Sequence, residues 1–235
     1  MVESFARGKI SAGSYDLNKW LYGGYENDII SVIYGGPGTG KTNFCILAAV
    51  SQAKKGNKVV FMDTEGGFRV ERVKQLVPEG YENVLRNILL LKPTNFSEQK
   101  KDFEKLLEHL DKEVSLIVVD GMTILYRLDF AGAREKDDRE ARKINSELAR
   151  QLRILAEIAR KRSIPVLVTN QVYNWENSKK MVGGDILTYW GKCLIELTNE
   201  RGKRVAYLRK HRSLPEKELE FQIANLGIKK KGFFA

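Results

Sequence analysis

Gly35-Gly36-Pro37-Gly38-Thr39-Gly40-Lys41-Thr42 decides how the rest of the chain is read. A glycine, four residues and then Gly-Lys-Thr is the spacing of a phosphate-binding P-loop. In a chain of this length the pattern arises by accident on the order of once in a hundred sequences. Its flanks argue further against accident. Residues 29–34 form a short apolar run that suits a strand, and residues 43–50 suit a helix. Glycines let the backbone amides turn inward around a phosphate, and the helix N-terminus behind them adds about half a positive charge. Lys41 is then placed to reach the outer phosphates of a nucleotide, and the Thr42 hydroxyl to ligate a magnesium ion.

Outward from the loop, strands and helices alternate. Residues 58–63 read as a strand, 68–76 as a helix, 87–91 as a strand, 97–110 as a helix and 116–120 as an almost wholly apolar strand. Ala141, Ile144, Leu148, Leu152, Leu155 and Ala159 form one stripe along a long helix over 138–162. Residues 164–169 are a further strand, with Pro165 near its start, where a missing donor is tolerated. Beyond a polar loop, 193–197, 204–208 and 219–223 are short strands joined by turns. Before the loop, a short helix over 15–21 is capped at Ser14 and closed by Gly23-Gly24. The pattern predicts an α/β fold, its mostly parallel central sheet flanked by helices and extended by antiparallel C-terminal strands.

The chain has 235 residues and a formal net charge of +10. That length suits one domain. Residues 201–235 hold ten Lys and Arg against three Glu, so most of the cationic excess is C-terminal and hints at a polyanionic partner. Residues 127–143, with six cations and five carboxylates, read first as a solvated face. No apolar run is long enough to span a bilayer and no secretory h-region opens the chain, so a soluble, cytoplasmic protein is expected. Cys45 and Cys193 lack metal-ligand spacing and read as core thiols.

Asp120, ending its apolar strand, has the Walker B position, from which a carboxylate holds magnesium through water. Glu65, in Asp63-Thr64-Glu65-Gly66-Gly67 at the end of another strand, can face a γ-phosphate and take a proton from water. It can equally cap a helix.

Asp63-Thr64-Glu65-Gly66 followed by Phe68-Arg69 and Glu71-Arg72, the opening Lys9-Ile10-Ser11-Ala12-Gly13-Ser14, Thr169-Asn170-Gln171-Val172 and Val182-Gly183-Gly184-Asp185 together resemble the RecA-type recombinases, above all their short archaeal paralogues. The resemblance runs from Lys9 to about Ile228. It implies one RecA-like ATPase domain over 1–235, with a lead-in at 1–24, a nucleotide-binding core at 25–200 and a basic hairpin and tail at 201–235. It implies ATP and Mg²⁺ as ligands, weak ATP hydrolysis, Glu65 as the water-activating carboxylate, Gln171 as the sensor joining the γ-phosphate to DNA-binding loops, and Arg72 near the adenine. It also implies a role in recombinational DNA repair beside a RadA-type recombinase, without strand exchange of its own.

Two loops meet DNA in that family. The first matches about 129–138, with Arg134 and Lys136; the second matches 172–182, with Tyr173, Trp175, Lys179 and Lys180. Rings interleaved with lysines can stack bases and neutralise the phosphates of a single strand. Lys210 and Arg212 match the place where related ATPases reach across to a neighbour's nucleotide; the bland reading is a basic strand edge that discourages aggregation. Phe5 is followed by Gly8 where the family's docking motif has alanine, so self-association without a stable filament is expected. Two rival readings stay open: a nucleotide-gated protein-binding switch with only nonspecific DNA affinity, and a hexameric ATPase of the clock or helicase branch.

Overall fold

The computed structural model describes residues 8–134, 137–175 and 178–231. After the two-residue strand β1 (Lys9–Ile10), helix α1 (Tyr15–Trp20) begins where the Ser14 side chain accepts the Leu17 N–H. The order then runs β2 (Tyr25–Glu26), β3 (Ile30–Gly35), α2 (Lys41–Ala53), β4 (Lys58–Asp63), α3 (Val70–Leu76), α4 (Tyr81–Arg86), β5 (Ile88–Leu91), α5 (Phe96–His109) and β6 (Val114–Asp120). It continues α6 (Ile124–Arg134), α7 (Asp138–Arg162), β7 (Val166–Trp175), β8 (Ser178–Met181), α8 (Gly184–Trp190), β9 (Gly191–Glu200), β10 (Lys203–Lys210), β11 (Lys217–Ala224) and β12 (Gly227–Lys230).

One sheet organises these elements, in the order β12-β11-β10-β9-β3-β7-β6-β4-β5, with β8 paired to β7. From β9 through β5 the strands are parallel, and β9 to β12 are antiparallel. Helices bury both faces. Leu17, Phe44, Leu47 and Val73 pack one face on Val59, Phe61, Ile195 and Phe221. Phe103, Leu148, Leu152 and Leu155 pack the other on Val60, Met62, Val119 and Val168. This two-sided cover is why the central strands are near-continuous apolar runs. Both cysteines lie in the core, where burial pushes their thiols up.

Three parts differ from the sequence expectation. Residues 124–134 form α6, a helix the sequence does not announce; over 127–134 it is the solvated face expected, with Ala133 the one buried residue there. The presumed loop at 129–138 is therefore mostly helix. The presumed loop at 172–182 is a ladder, with Val172 opposite Met181 and Tyr173 opposite Lys180. β7 thus runs six residues past Thr169, because polar Asn170 and Gln171 are held in the strand opposite Tyr34 and Gly35 of β3.

Candidate nucleotide site

The strand order places β3, β7, β6 and β4 side by side, so their C-terminal ends present the P-loop, Gln171, Asp120 and Glu65 to one crevice. Ligands of open α/β sheets bind there. In the register, Gly35 lies opposite Gln171 and Asp63 opposite Asp120.

Gly35 to Gly40 form the bend before α2. Gly40, at the N-cap of α2, takes φ 110°, a left-handed conformation that glycine adopts without strain. The Thr39 hydroxyl donates to the Gly36 carbonyl at 2.9 Å, tying the bend across Pro37 and Gly38. Lys41 is buried, and its ammonium donates to the carbonyls of Gly35 (3.1 Å) and Gly36 (2.9 Å). Burial pulls its pKa down; Glu65 and Asp120 oppose that by favouring the cation.

Asp120 has no exposed surface. Burial pushes its carboxyl up to about 6, against the Thr169 and Thr42 hydroxyls, which favour the carboxylate. Oδ1 accepts the Thr169 hydroxyl at 2.7 Å, whereas Oδ2 has no donor among the described residues. Where a Cβ on Gly67 would stand, Thr42 Oγ1 is 3.2 Å away and Asp120 Oδ2 3.5 Å. A hydroxyl and an undonated carboxylate oxygen thus converge on one point. Hard oxygen donors in so small a number suit Mg²⁺, which keeps waters and takes the rest of its shell from phosphates. Thr42 and Asp120 therefore fit that ion.

Glu65 stands exposed at the end of β4, on a turn that several buried bonds fix. The Asp63 carboxylate accepts the Gly67 and Phe68 N–H groups, both at 3.0 Å. The Thr64 hydroxyl donates to the carbonyls of Asp120 (3.0 Å) and Gly121 (2.7 Å). Gly121 has φ 93°, and a Cβ there would strike the Thr64 hydroxyl and come within 2.7 Å of Glu65 Cγ. Gln171 Nε2 donates to Glu65 Oε1 at 3.3 Å. Beside Gln171, the Thr123 hydroxyl donates to Asn170 Oδ1, and Asn170 Nδ2 donates to the Val182 carbonyl at 2.8 Å. The hairpin is therefore gripped at its base by the strand that carries Gln171. Sequence reasoning assigned no role to Asp63, Thr123, Thr169 or Asn170. Polar residues ending apolar strands were their only signal.

A hollow of about 470 Å³ opens between Gly35, Gly36, Pro37 and Thr39 on one side and Val172, Tyr173 and Asn199 on the other. Lys180, opposite Tyr173, is exposed. Trp175 and Lys179 lie on the hairpin backbone, but their side chains, like Lys136 and Phe5 as a whole, fall outside the described residues. Arg134 ends α6. A second hollow, about 390 Å³ between β5 and α5, lies at the far edge of the sheet and takes no part in this crevice.

Arg72 and the cationic pair Lys210 and Arg212 are engaged elsewhere. The Arg72 guanidinium, on α3, donates to the carbonyls of Ala224 (3.0 Å) and Asn225 (3.2 Å), clamping the β11–β12 turn. Phe221 and Ile223 of β11 abut Gly40, so this clamp flanks the P-loop. Lys210 donates to the carbonyls of Thr188 and Gly191, both at 2.9 Å, and Arg212 Nε pairs with Glu26 at 2.7 Å. Neither cation extends freely from the surface.

A P-loop after β3, a buried carboxylate ending β6 two strands away and a second carboxylate bonded to a glutamine of β7, the strand between them, define a P-loop NTPase of RecA-like order. The chain belongs to the Rad51 family, whose profile spans residues 7–231. It is 38% identical over 212 residues to the DNA repair and recombination protein RadB of Methanocaldococcus jannaschii, covering 90% of this chain and 98% of that one. It is 39% identical over 224 residues to the protein of the same name from Methanobrevibacter smithii, covering 90% and 92%. A crystal structure described as the RadB recombinase matches with a TM-score of 0.78 at 32% identity, over 95% of this chain and all of that one.

Proposed function

We propose that this chain is an ATP-binding accessory factor of recombinational DNA repair, which hydrolyses ATP slowly and binds single-stranded DNA through the β7–β8 hairpin. The names of its relatives support the repair role, and the Rad51 family supports an ATPase. Among the described residues no helix is long and apolar enough to cross a membrane, in keeping with work on DNA in the cytoplasm. Its protein partner in this reading is the main, RadA-type recombinase.

Glu65 takes a proton from water as the water oxygen attacks the γ-phosphorus. The bond from that phosphorus to the bridging oxygen breaks, and ADP leaves with the charge. Lys41 and the loop amides stabilise the charge on the transferring group. Thr42 and Asp120 would hold Mg²⁺, which would supply further neutralisation of the phosphate oxygens.

The observation that carries the reading is the bond from Gln171 to Glu65, since Gln171 shares its strand with the hairpin. Single-stranded DNA binding is to be measured at several salt concentrations, without nucleotide and with ATP and Mg²⁺, alongside ATP turnover. Affinity is expected to change with ATP while turnover stays low. Gln171→Ala is expected to keep ATP binding and lose that change; an unaltered ATP effect would exclude Gln171 as the link. No DNA binding even at low salt would replace this reading with a nucleotide-gated protein-binding switch.

A further inference from the structure

The helix that starts at the phosphate loop ends in a separate groove. A hollow of about 660 Å³ opens beside the last turns of α2, lined by Tyr15, Leu47, Val50, Lys54, Leu76 and Leu226 among others. Leu47 and Val50, which are core residues, and Leu76, which packs partly buried on the same core, give it an apolar strip beside the polar Ser11, Ser14, Asn18 and Ser51. Two exposed apolar side chains flank it. Tyr15, from the first turn of α1, is 78% exposed, and Leu226, from the β11–β12 turn, is 69% exposed. Single exposed apolar side chains are ordinary, but two large ones from opposite ends of the chain bordering one hollow, next to Leu47, Val50 and Leu76, make a patch.

The charge of the groove has one sign. Lys54 and Lys55 both line it and are exposed, and neither pairs with a carboxylate among the described residues. None of the residues lining the hollow is Asp or Glu. Asp16, beside Tyr15 on α1, is occupied in accepting the Lys230 N–H at 2.8 Å. Placing lysines at the C-terminus of α2 does favour the helix dipole, which accounts for their sign. It does not account for Tyr15 and Leu226 standing open beside them. An apolar strip flanked by two exposed apolar side chains, with two unpaired cations beside it, complements a segment that is apolar on one side and acidic on the other.

We propose that this groove docks an acidic, amphipathic segment of a partner protein. Its apolar side chains lie between Tyr15 and Leu226, and its carboxylates face Lys54 and Lys55. The surface is separate from the nucleotide crevice and the hairpin, so it stands or falls independently of the DNA reading.

The test uses the full chain and a fluorescein-labelled synthetic helix with leucine and phenylalanine on one face and glutamate on the other. The control is the same peptide with lysine for glutamate. Anisotropy is expected to show saturable binding of the glutamate peptide and not of the lysine peptide. Leu226→Asp and Tyr15→Asp are each expected to weaken binding at least about tenfold, as loss of an anchoring apolar group does. Lys54→Glu with Lys55→Glu is expected to weaken it about threefold to tenfold, the worth of exposed ion pairs, and to remove its salt dependence. Unchanged thermal melting of each variant separates loss of the surface from loss of the fold. Equal binding of the two peptides, no binding of the glutamate peptide, or binding that survives Leu226→Asp would overturn the proposal. So would sedimentation showing a dimer that Leu226→Asp dissolves, because the occupant would then be a second copy.

Discussion

Glu26 is a carboxylate withdrawn from water, at 5% exposure, and its partners come from a segment 186 residues later. Arg212 Nε reaches it at 2.7 Å and the Ser213 hydroxyl donates at 3.1 Å. Burial alone would raise its pKa; the hydrogen bonds from Arg212 and Ser213 and the positive charge facing it together outweigh that and hold the carboxyl below its usual value. The His211 ring is neutral for a complementary reason. Burial lowers its pKa, and Nδ1 accepts the Ser213 and Leu214 N–H groups, both at 3.1 Å, which a doubly protonated ring could not do. Both shifts have the same sign in their effect on stability. A depressed carboxyl contributes stability that is present above its unfolded value and lost as pH falls through its folded value; a depressed imidazole loses stability as pH falls below its unfolded value. Arg212→Ala is expected to cost about 2 to 3 kcal/mol near neutral pH, less than a fully buried pair because the guanidinium is 23% exposed. In urea unfolding at pH 7 and at about pH 4, the unfolded carboxylate value, the difference between wild type and variant should shrink at the lower pH. A pH-independent difference would mean that Arg212 acts through packing.

At the scale of elements, the β11–β12 hairpin joins regions that are far apart in sequence. Arg72 grips its turn from α3, Ser14 Oγ donates to the Ile228 carbonyl at 2.5 Å, and Phe221 and Ile223 back Gly40. Arg72→Ala leaves the Ala224 and Asn225 carbonyls without that donor. It is expected to cost about 1 to 2 kcal/mol, as charged hydrogen bonds do, and to speed amide exchange selectively in residues 221–230. Exchange unchanged there would show that β11 pairing, and not Arg72, fixes the turn. β11 is legible as a strand over 219–223, but no local pattern announced β12, which is four residues long and is completed by contacts with α1 and α2. The same holds for α4 and α8, each too short for a periodicity to register. By contrast, α7 matched residue for residue, since its stripe repeats over 25 positions and Asp137 caps it. The positions of the P-loop and Asp120 at strand ends were legible because their chemistry demands fixed residue types there, whereas the residues alone leave Glu65 open between a water-facing carboxylate and a helix cap. Asp63 and Asn170 were not legible, because what they hold is backbone, which leaves no signature in the order of residues.

At the scale of the molecule, the sheet separates two functions by its ends. The nucleotide crevice occupies the C-terminal ends of the parallel strands. In the register, Gly35 lies beside Leu197 and Leu197 beside Ala206, four residues before Lys210 on a strand running the other way. Across a bulge, Lys210 lies opposite Leu194, three residues before Leu197, so at about 3.3 Å per residue it is roughly 10 Å below the level of Gly35. Cations so placed could serve a second copy's nucleotide only by leaving what they hold now. Lys210 ties off the carbonyls at the end of α8, and Arg212 neutralises Glu26. Releasing Arg212 strands the buried Glu26 carboxylate, and releasing Lys210 leaves the part-buried Gly191 carbonyl without its donor, at up to about 1 to 3 kcal/mol for the carbonyl and more for the charge. ATP turnover per chain is therefore expected to stay constant as protein concentration rises. Lys210→Ala should lower the melting temperature while changing kcat by less than about threefold, far from the 10³ to 10⁵ that a trans-acting cation contributes. Turnover that climbs with concentration and collapses in Lys210→Ala would show the opposite: assembly that outweighs the bonds to α8 and turns a buttress into a catalytic group.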